Sequence, residues 1–146
     1  MRVVINTDGS SRGNPGLAGI GVVIRAPEDN APGGLALLAE ISEPIGIATN
    51  NQAEYRALIR ALEEALALGA TEADVCCDSL LVVNQVNNKW RVTRGDLHGL
   101  CRQARDLKGR FVRCSINHAY NTQNLDADYL AKKASGTAVT RNVRGK

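Results

Sequence analysis

Apolar and polar positions along this chain follow two periods, and the change between them marks its elements. Val3, Val4 and Ile5 form a β-branched run that predicts a first strand ending at Asp8. Residues 9–16 hold three glycines and a proline, a dense turn cluster. Residues 19–25 predict a second strand, paired with the first as a hairpin. Residues 26–34 form another turn region with two prolines. A third strand is expected over 35–41, continuing loosely towards Pro44. The period then becomes helical. Residues 51–68 contain no Gly or Pro, and Ala57, Leu58, Ala61, Leu62, Ala65 and Leu68 share one face. Thr49 with Gln52, or Asn51 with Glu54, supplies a capping box at its start, and Gly69 a stop. Residues 73–78 predict a fourth strand, and Ser79 a cap for a short helix over 80–86. Asp96 is the expected cap of a helix whose inner face is Leu97, Leu100, Cys101, Ala104 and Leu107. Residues 111–117 alternate as a fifth strand, and 125–134 form a last helix. The order β-β-β-α-β-α-α-β-α places the chain in the α/β class, with a mixed sheet flanked by helices.

One residue breaks the pattern. Glu54, expected in the first turn of the long helix, precedes Leu58, Ala61, Leu62 and Ala65 by 4, 7, 8 and 11 residues, so its carboxylate lies on or beside the face to be buried. An isolated charge there costs several kcal/mol unless a cation or metal meets it. Three further acids stand at element ends: Asp8 after the first strand, Asp78 after the fourth, and Asp128 early in the last helix. Beyond the carboxyl ends of sheet strands is where α/β folds gather function. Several carboxylates with no base among them call for cations, and oxygen donors favour Mg²⁺ or Mn²⁺. Each acid also has a plain reading. Asp8 suits a turn, Glu54 and Asp128 suit helix N-termini, and Asp78-Ser79 suits a cap.

Composition narrows the setting. At 146 residues the chain fits one domain, and with aromatics at 3% its core must be aliphatic. No apolar run approaches the roughly 18 residues of a membrane span, and the N-terminal run lacks the features of a signal peptide. A cytoplasmic protein with no membrane partner is expected. Cys76, Cys77, Cys101 and Cys114 form no C-x-x-C pair and no zinc spacing with His, and read as reduced structural thiols. The net charge of +3 conceals an asymmetry: residues 1–88 hold 5 basic and 11 acidic residues, residues 89–146 hold 13 and 4. The basic half suits either a polyanionic partner or a solvated surface.

Taken together, these motifs are recognisable. Thr7-Asp8-Gly9-Ser10 followed by Gly13-Asn14-Pro15-Gly16 resembles the opening signature of type 1 ribonuclease H. Thr49-Asn50-Asn51-Gln52-Ala53-Glu54 looks like its T-N-N-x-x-E motif, and Asp78-Ser79 like its D-S pair. His118, Asn124, Ala127-Asp128 and Leu130-Ala131 resemble its closing pattern. The similarity runs in the family's order over residues 1–135. It implies a ribonuclease H-like fold, a five-stranded mixed sheet in the order 3-2-1-4-5 with strands 1–3 antiparallel. It implies endonucleolytic cleavage of the RNA strand of RNA–DNA hybrids, leaving 5′-phosphate and 3′-hydroxyl ends. It implies Asp8, Glu54, Asp78 and Asp128 as ligands of two Mg²⁺ ions, with Mn²⁺ able to substitute. Two-metal sites hold their ions about 3.5–4 Å apart and clamp both ends of an in-line displacement.

By the same resemblance His118 serves in proton transfer or product release. The backbone around Gly9, Ser10 and Arg12, with Asn14, Asn50, Asn51 and Asn84, is expected to contact the nucleic acid at its 2′-hydroxyls. Several family members carry a long basic insertion with interleaved tryptophans after the Asp78 helix. The 89–95 segment is too short for it, so affinity is expected from Lys89, Arg91 and Arg94 or from a basic tail. Compact relatives often have Arg where this chain has Asn121, so the resemblance carries no phosphate contact to that position. Residues 1–135 are expected to form the domain and 136–146 a flexible basic tail, in a monomer whose partner is the hybrid and, as a further candidate, double-stranded RNA. Two other readings remain: a non-catalytic hybrid- or duplex-RNA-binding module, and a different nuclease on the same fold.

Overall fold

Residues 1–119 and 124–136 are described by a computed structural model. Five strands form one sheet in the order β3-β2-β1-β4-β5: β1 (Arg2–Ser11), β2 (Gly16–Pro27), β3 (Leu35–Ala48), β4 (Glu72–Cys77) and β5 (Arg113–His118). β1 pairs antiparallel with β2, β2 antiparallel with β3, and β4 runs parallel to both β1 and β5. The helices are α1 (Asn50–Ala67), α2 (Leu80–Val86), α3 (Gly95–Lys108) and α4 (Leu125–Ser135). The order of elements and of strands is the one the sequence led us to expect.

Several boundaries differ. β1 runs through Gly9 and Ser10 to Ser11, and β2 starts at Gly16, so the turn shrinks to residues 12–15. Ladder bonds outweigh the turn composition here, because Ser10 pairs with Gly19 and Ser11 with Ala18. β3 continues past Pro44 to Ala48, bridged by a register shift opposite Ala18 and Gly19. Pro44 is tolerated because β3 is an edge strand. The capping box is Thr49 with Gln52, each bonding the other's backbone N–H; Glu54 then falls in the second turn of α1, so the macrodipole does not account for it. Leu68 lies past the buried face, at the exposed C-cap. Asp96 caps nothing: α3 begins at Gly95 after Arg94, and the Asp96 carboxylate accepts from Arg94 and Gln52. Phe111 is buried ahead of β5 rather than inside it.

The core is aliphatic, as the aromatic count requires. Val3, Ile5, Val22, Ile24 and Val75 from the sheet meet Tyr55, Leu58, Leu62 and Ala65 of α1, with Leu97, Cys101 and Ala104 of α3 beyond. α1 and α4 approach the sheet at residues that alternate along the strands. A Cβ on Gly9 would stand 2.3 Å from the Ala53 carbonyl carbon of α1. A Cβ on Gly21 would stand 2.1 Å from Ala127 O of α4. Successive strand residues face opposite sides, and Gly21 pairs with Asp8, next to Gly9. The two helices therefore cover opposite faces at the centre of the sheet. Among the described residues no helix is long and apolar enough to cross a membrane. The expected tail beyond Gly136, and Asn121, lie outside the described residues.

Gly21→Ala is predicted to destabilise the protein by about 1–3 kcal/mol or more, because α4 must move off the sheet. Urea denaturation checks this, and an unchanged midpoint would show that α4 yields freely.

Candidate active site

Strand register brings the first two acids together. β1 and β4 are parallel, with Thr7 opposite Cys77. Asp8 follows Thr7 and Asp78 follows Cys77, so both reach the same end of the sheet side by side. Gly9 lets α1 come against β1, and its N–H donates to Glu54 Oε1 at 2.7 Å. The Cys77 thiol lies 4.0 Å from Glu54 Oε2 as a weak donor. Asp8, Glu54 and Asp78 each offer an oxygen, and the three lie within 4.8 Å of one another.

The fourth acid arrives on α4. Asn124 fastens that helix to β1: its Nδ2 donates to Thr7 O at 2.8 Å, while Asn6 Nδ2 donates to its Oδ1 at 2.9 Å. Ser42 Oγ donates to Leu130 O at 2.8 Å, and Arg25 pairs with Asp126 at 2.9 Å. Asp128, in the first turn, is brought within hydrogen-bonding reach of Asp8. Its Oδ2 also lies 3.2 Å from Lys132 Nζ. β5 lies parallel to β4 with His118 opposite Cys77, which puts the imidazole where its charge acts on Asp78.

The electrostatics follow from this crowding. Asp8 is 3% exposed and Glu54 7%. Burial pushes the Asp8 carboxyl up, the neighbouring Glu54 pushes it further, and Asp128 and Asp78 add to this. Burial also raises Glu54, partly offset by its bonds to Asp8 and Gly9 N–H. Asp78 is raised by burial and Asp128, against His118 and Lys132. Among the described residues no base forms an ion pair with Asp8 or Glu54. An all-oxygen donor set, buried and lacking a base at its deepest pair, fits a hard divalent cation.

Comparisons with known proteins agree on the family of the chain. A family profile described as reverse transcriptase-like matches residues 6–134. The chain is 41% identical over 133 residues to ribonuclease HI of Halobacterium salinarum, covering 91% of this chain and 64% of that protein. The crystal structure of that organism's RNase H1 superposes with a TM-score of 0.85 at 40% identity, covering 94% of this chain and 100% of the other. The chain belongs to the type 1 ribonuclease H family. It is also 46% identical over 138 residues to the bifunctional protein Rv2228c of Mycobacterium tuberculosis, covering 94% of this chain but only 36% of that protein. The N-terminal RNase H domain of that protein, solved as a maltose-binding-protein fusion, gives a TM-score of 0.84 at 45% identity over 92% of this chain and 99% of the other. The chain thus spans about a third of the mycobacterial relatives it matches.

Within this ribonuclease H frame the other expected site residues fall into two places. Asn14 and Asn50 meet at the β1–β2 turn: Asn14 Oδ1 accepts from Asn50 N–H at 3.1 Å, and Asn50 Oδ1 accepts from Ser11 N–H at 3.1 Å. Both are exposed, and Asn51 beside them is half-buried. The backbone amides nearby are already engaged. Gly9 N–H serves Glu54, and Arg12 N–H donates to Leu17 O at 2.8 Å. Ser10 is half-buried in the ladder, and the Arg12 side chain lies beside Gly136 at the end of α4. Asn84 is separate, on α2, where its Nδ2 donates to Leu80 O at 3.0 Å. Of the basic residues after α2, Arg94 is paired with Asp96 at 3.1 Å. Sequence reasoning missed Lys132, although its place four residues after Asp128 was a visible signal. It also missed Cys77, and it named Asn124 only as a motif residue without foreseeing that it fastens α4 to β1.

Without metal, the raised carboxyls should make stability depend on pH. Asp8 and Glu54 bind protons more tightly in the folded chain than in the unfolded one. Stability therefore falls as pH rises from about 4, the ordinary carboxyl value, towards neutrality. Asp74, held low by its Arg113 bond, stays ionised across this window and adds no slope. In chelator, the melting temperature should drop between about pH 5 and pH 8. Asp8→Asn should raise it at the upper end and flatten the slope; an equal slope in both proteins would contradict this account.

Proposed function

We propose that the chain hydrolyses the RNA strand of RNA–DNA hybrids endonucleolytically at the carboxylate cluster. The observation that carries this reading is the convergence of Asp8, Glu54 and Asp78 within 4.8 Å at the sheet's end, with Asp128 beside them, in a chain of this family. A related structure, LC11-RNase H1 in complex with an RNA/DNA hybrid, supports the substrate class, with a TM-score of 0.81 at 37% identity over 92% of this chain and 96% of the other.

In this reading Asp8, Glu54, Asp78 and Asp128 hold two divalent ions, Mg²⁺ with Mn²⁺ as a substitute. Bound there, such ions would acidify the attacking water and stabilise the leaving 3′-oxygen, giving 5′-phosphate and 3′-hydroxyl ends. Four ionised carboxylates balance two dications, which removes the desolvation cost that a charged Glu54 otherwise carries. Gly9 N–H and the Cys77 thiol orient Glu54 before any ion arrives. His118, whose charge acts on Asp78, moves protons at the edge of the site.

Asn14, Asn50 and Asn51 are the proposed readers of the 2′-hydroxyls. The first two spend their carbonyl oxygens inside the protein, which leaves their NH₂ groups as donors. With its backbone amides occupied, the Gly9–Arg12 segment contributes through the Ser10 and Arg12 side chains. Asn84, set apart on α2, would meet the hybrid elsewhere along its length. Lys89 and Arg91 supply phosphate contacts after α2. Residues 1–135 act as the domain and 136–146 as a basic tail, in a cytoplasmic monomer, with double-stranded RNA as a second substrate candidate.

Labelled hybrid, duplex DNA, single-stranded RNA and duplex RNA, incubated side by side with Mg²⁺, test the reading. Only RNA in hybrid should be cut efficiently, and Asp8→Asn should abolish cutting. Equal cutting by both proteins would refute the site; binding without cutting by wild type would leave a binding module, and cleavage of DNA a different nuclease. His118→Ala should slow turnover far less than Asp8→Asn, and comparable losses would place His118 at the chemical step itself. Log affinity for hybrid should fall linearly with log salt; a flat response would remove the basic half from binding.

A further inference from the structure

The carboxylate cluster is not electrostatically uniform. Its deep pair, Asp8 and Glu54, is buried and forms no ion pair with any described base. Its outer acids already face a cation. Lys132 Nζ lies 3.2 Å from Asp128 Oδ2, one turn along α4, with the two side chains 43% and 34% exposed. The same ammonium acts on Asp78, where it and His118 oppose the effects of burial and of Asp128. One lysine on α4 therefore pairs with Asp128 and adds positive charge near Asp78. Asp128 also stands outside the trio whose oxygens gather within 4.8 Å.

Resting on the reading above that this cluster holds divalent ions, we propose that Lys132 is a tethered competitor of the outer metal ion. In the metal-free protein it supplies part of the positive charge that Asp78 and Asp128 require. An ion that takes Asp128 as a ligand must displace the ammonium, and the displaced side chain stays tethered close by, repelling the ion. Lys132 thus raises the metal concentration at which the site fills. The deep pair has no such competitor, so ions fill the cluster from the inside outwards. An ordinary helix-stabilising role is the other use of this pair, since an acid four residues before a base supports a helix. That role would appear in stability and leave metal affinity untouched. Breaking a partly exposed ion pair is worth roughly two- to fivefold in an equilibrium constant, which sets the size of the expected effect.

The test is calorimetric titration of the nucleic-acid-free full chain with Mn²⁺, and separately Mg²⁺, at neutral pH. Wild type is compared with Lys132→Met, Lys132→Gln, Lys132→Arg and Lys133→Met. The last removes the same net charge from an exposed neighbour on the same helix. Both neutral variants at 132 should tighten the weaker binding step by about two- to fivefold. Lys132→Arg and Lys133→Met should stay near wild type. Unchanged or weaker binding in Lys132→Met and Lys132→Gln overturns the proposal, and so does equal tightening in Lys133→Met. If wild type binds no ion above the Asp8→Asn background, the metal reading itself has failed and this inference falls with it. Melting curves in chelator, read on the same samples, separate any loss of helix stability from the change in metal affinity.

Discussion

Two buried carboxyls meet where β1 crosses α1, and the rest of the fold is arranged to make that meeting possible. Asp8 on the central strand and Glu54 on the longest helix would each be costly to bury alone. They approach because Gly9 has no side chain, so α1 comes within 2.3 Å of where a Cβ would stand. The Gly9 N–H then orients Glu54. The strand bonds, the capping box at Thr49 and the aliphatic packing of α1 all hold the two groups at a separation that neither would choose in water. In chemical terms this is preorganisation. The cost of bringing anions together is met during folding by apolar burial elsewhere, so it is not met again when a cation or substrate arrives.

Much of this was legible in the chain itself, and the legible parts share a cause. Periodicity reports burial directly, so Glu54 stood out as a charge on an apolar face, and the β-β-β-α-β-α-α-β-α order followed from where the period changed. The capping box was narrowed to two alternatives, and the structure chose Thr49 with Gln52. The failures also share a cause. Residues 9–16 have turn composition, yet β1 and β2 extend to Ser11 and from Gly16 because the opposing strand supplies partners that composition cannot reveal. Asp96 has the chemistry of a cap, but Arg94 and Gln52 claim its carboxylate across space.

The site itself was less evenly legible. Each of the four acids had a plain local reading, and the residues alone could not decide among them. Their joint order carried the resemblance, while the register of β1 and β4 and the docking of α4 supplied the proximity. The substrate candidates divide the same way. Asn14 and Asn50 sit together because each bonds the backbone of the other's segment. Asn84 shares their residue type and nothing of their position. Lys132 enters the site from one helical turn beyond Asp128.

The four acids are not held with equal rigidity, and this gives the site a direction. Asp8 is held in the β1–β2 ladder, Asp78 follows directly on β4, and Glu54 accepts a backbone N–H from the central strand. Backbone ladders leave little freedom, so Asp8 is the most firmly placed of the four. Asp128 depends on α4, which meets the sheet through side-chain bonds such as Asn124 to Thr7 and Ser42 to Leu130, and through the space left by Gly21. A helix docked this way can shift slightly without breaking a ladder. Asp8 and Glu54 are the most buried and least compensated of the four; Asp128 is half-exposed and already has a counter-ion. On the proposed metal-binding reading, the deep acids would suit a ligand that stays, and the shallow, compensated Asp128 one that exchanges. The difference would come from how each acid is held: Asp8 by a strand ladder, Asp128 by a helix docked through side-chain bonds.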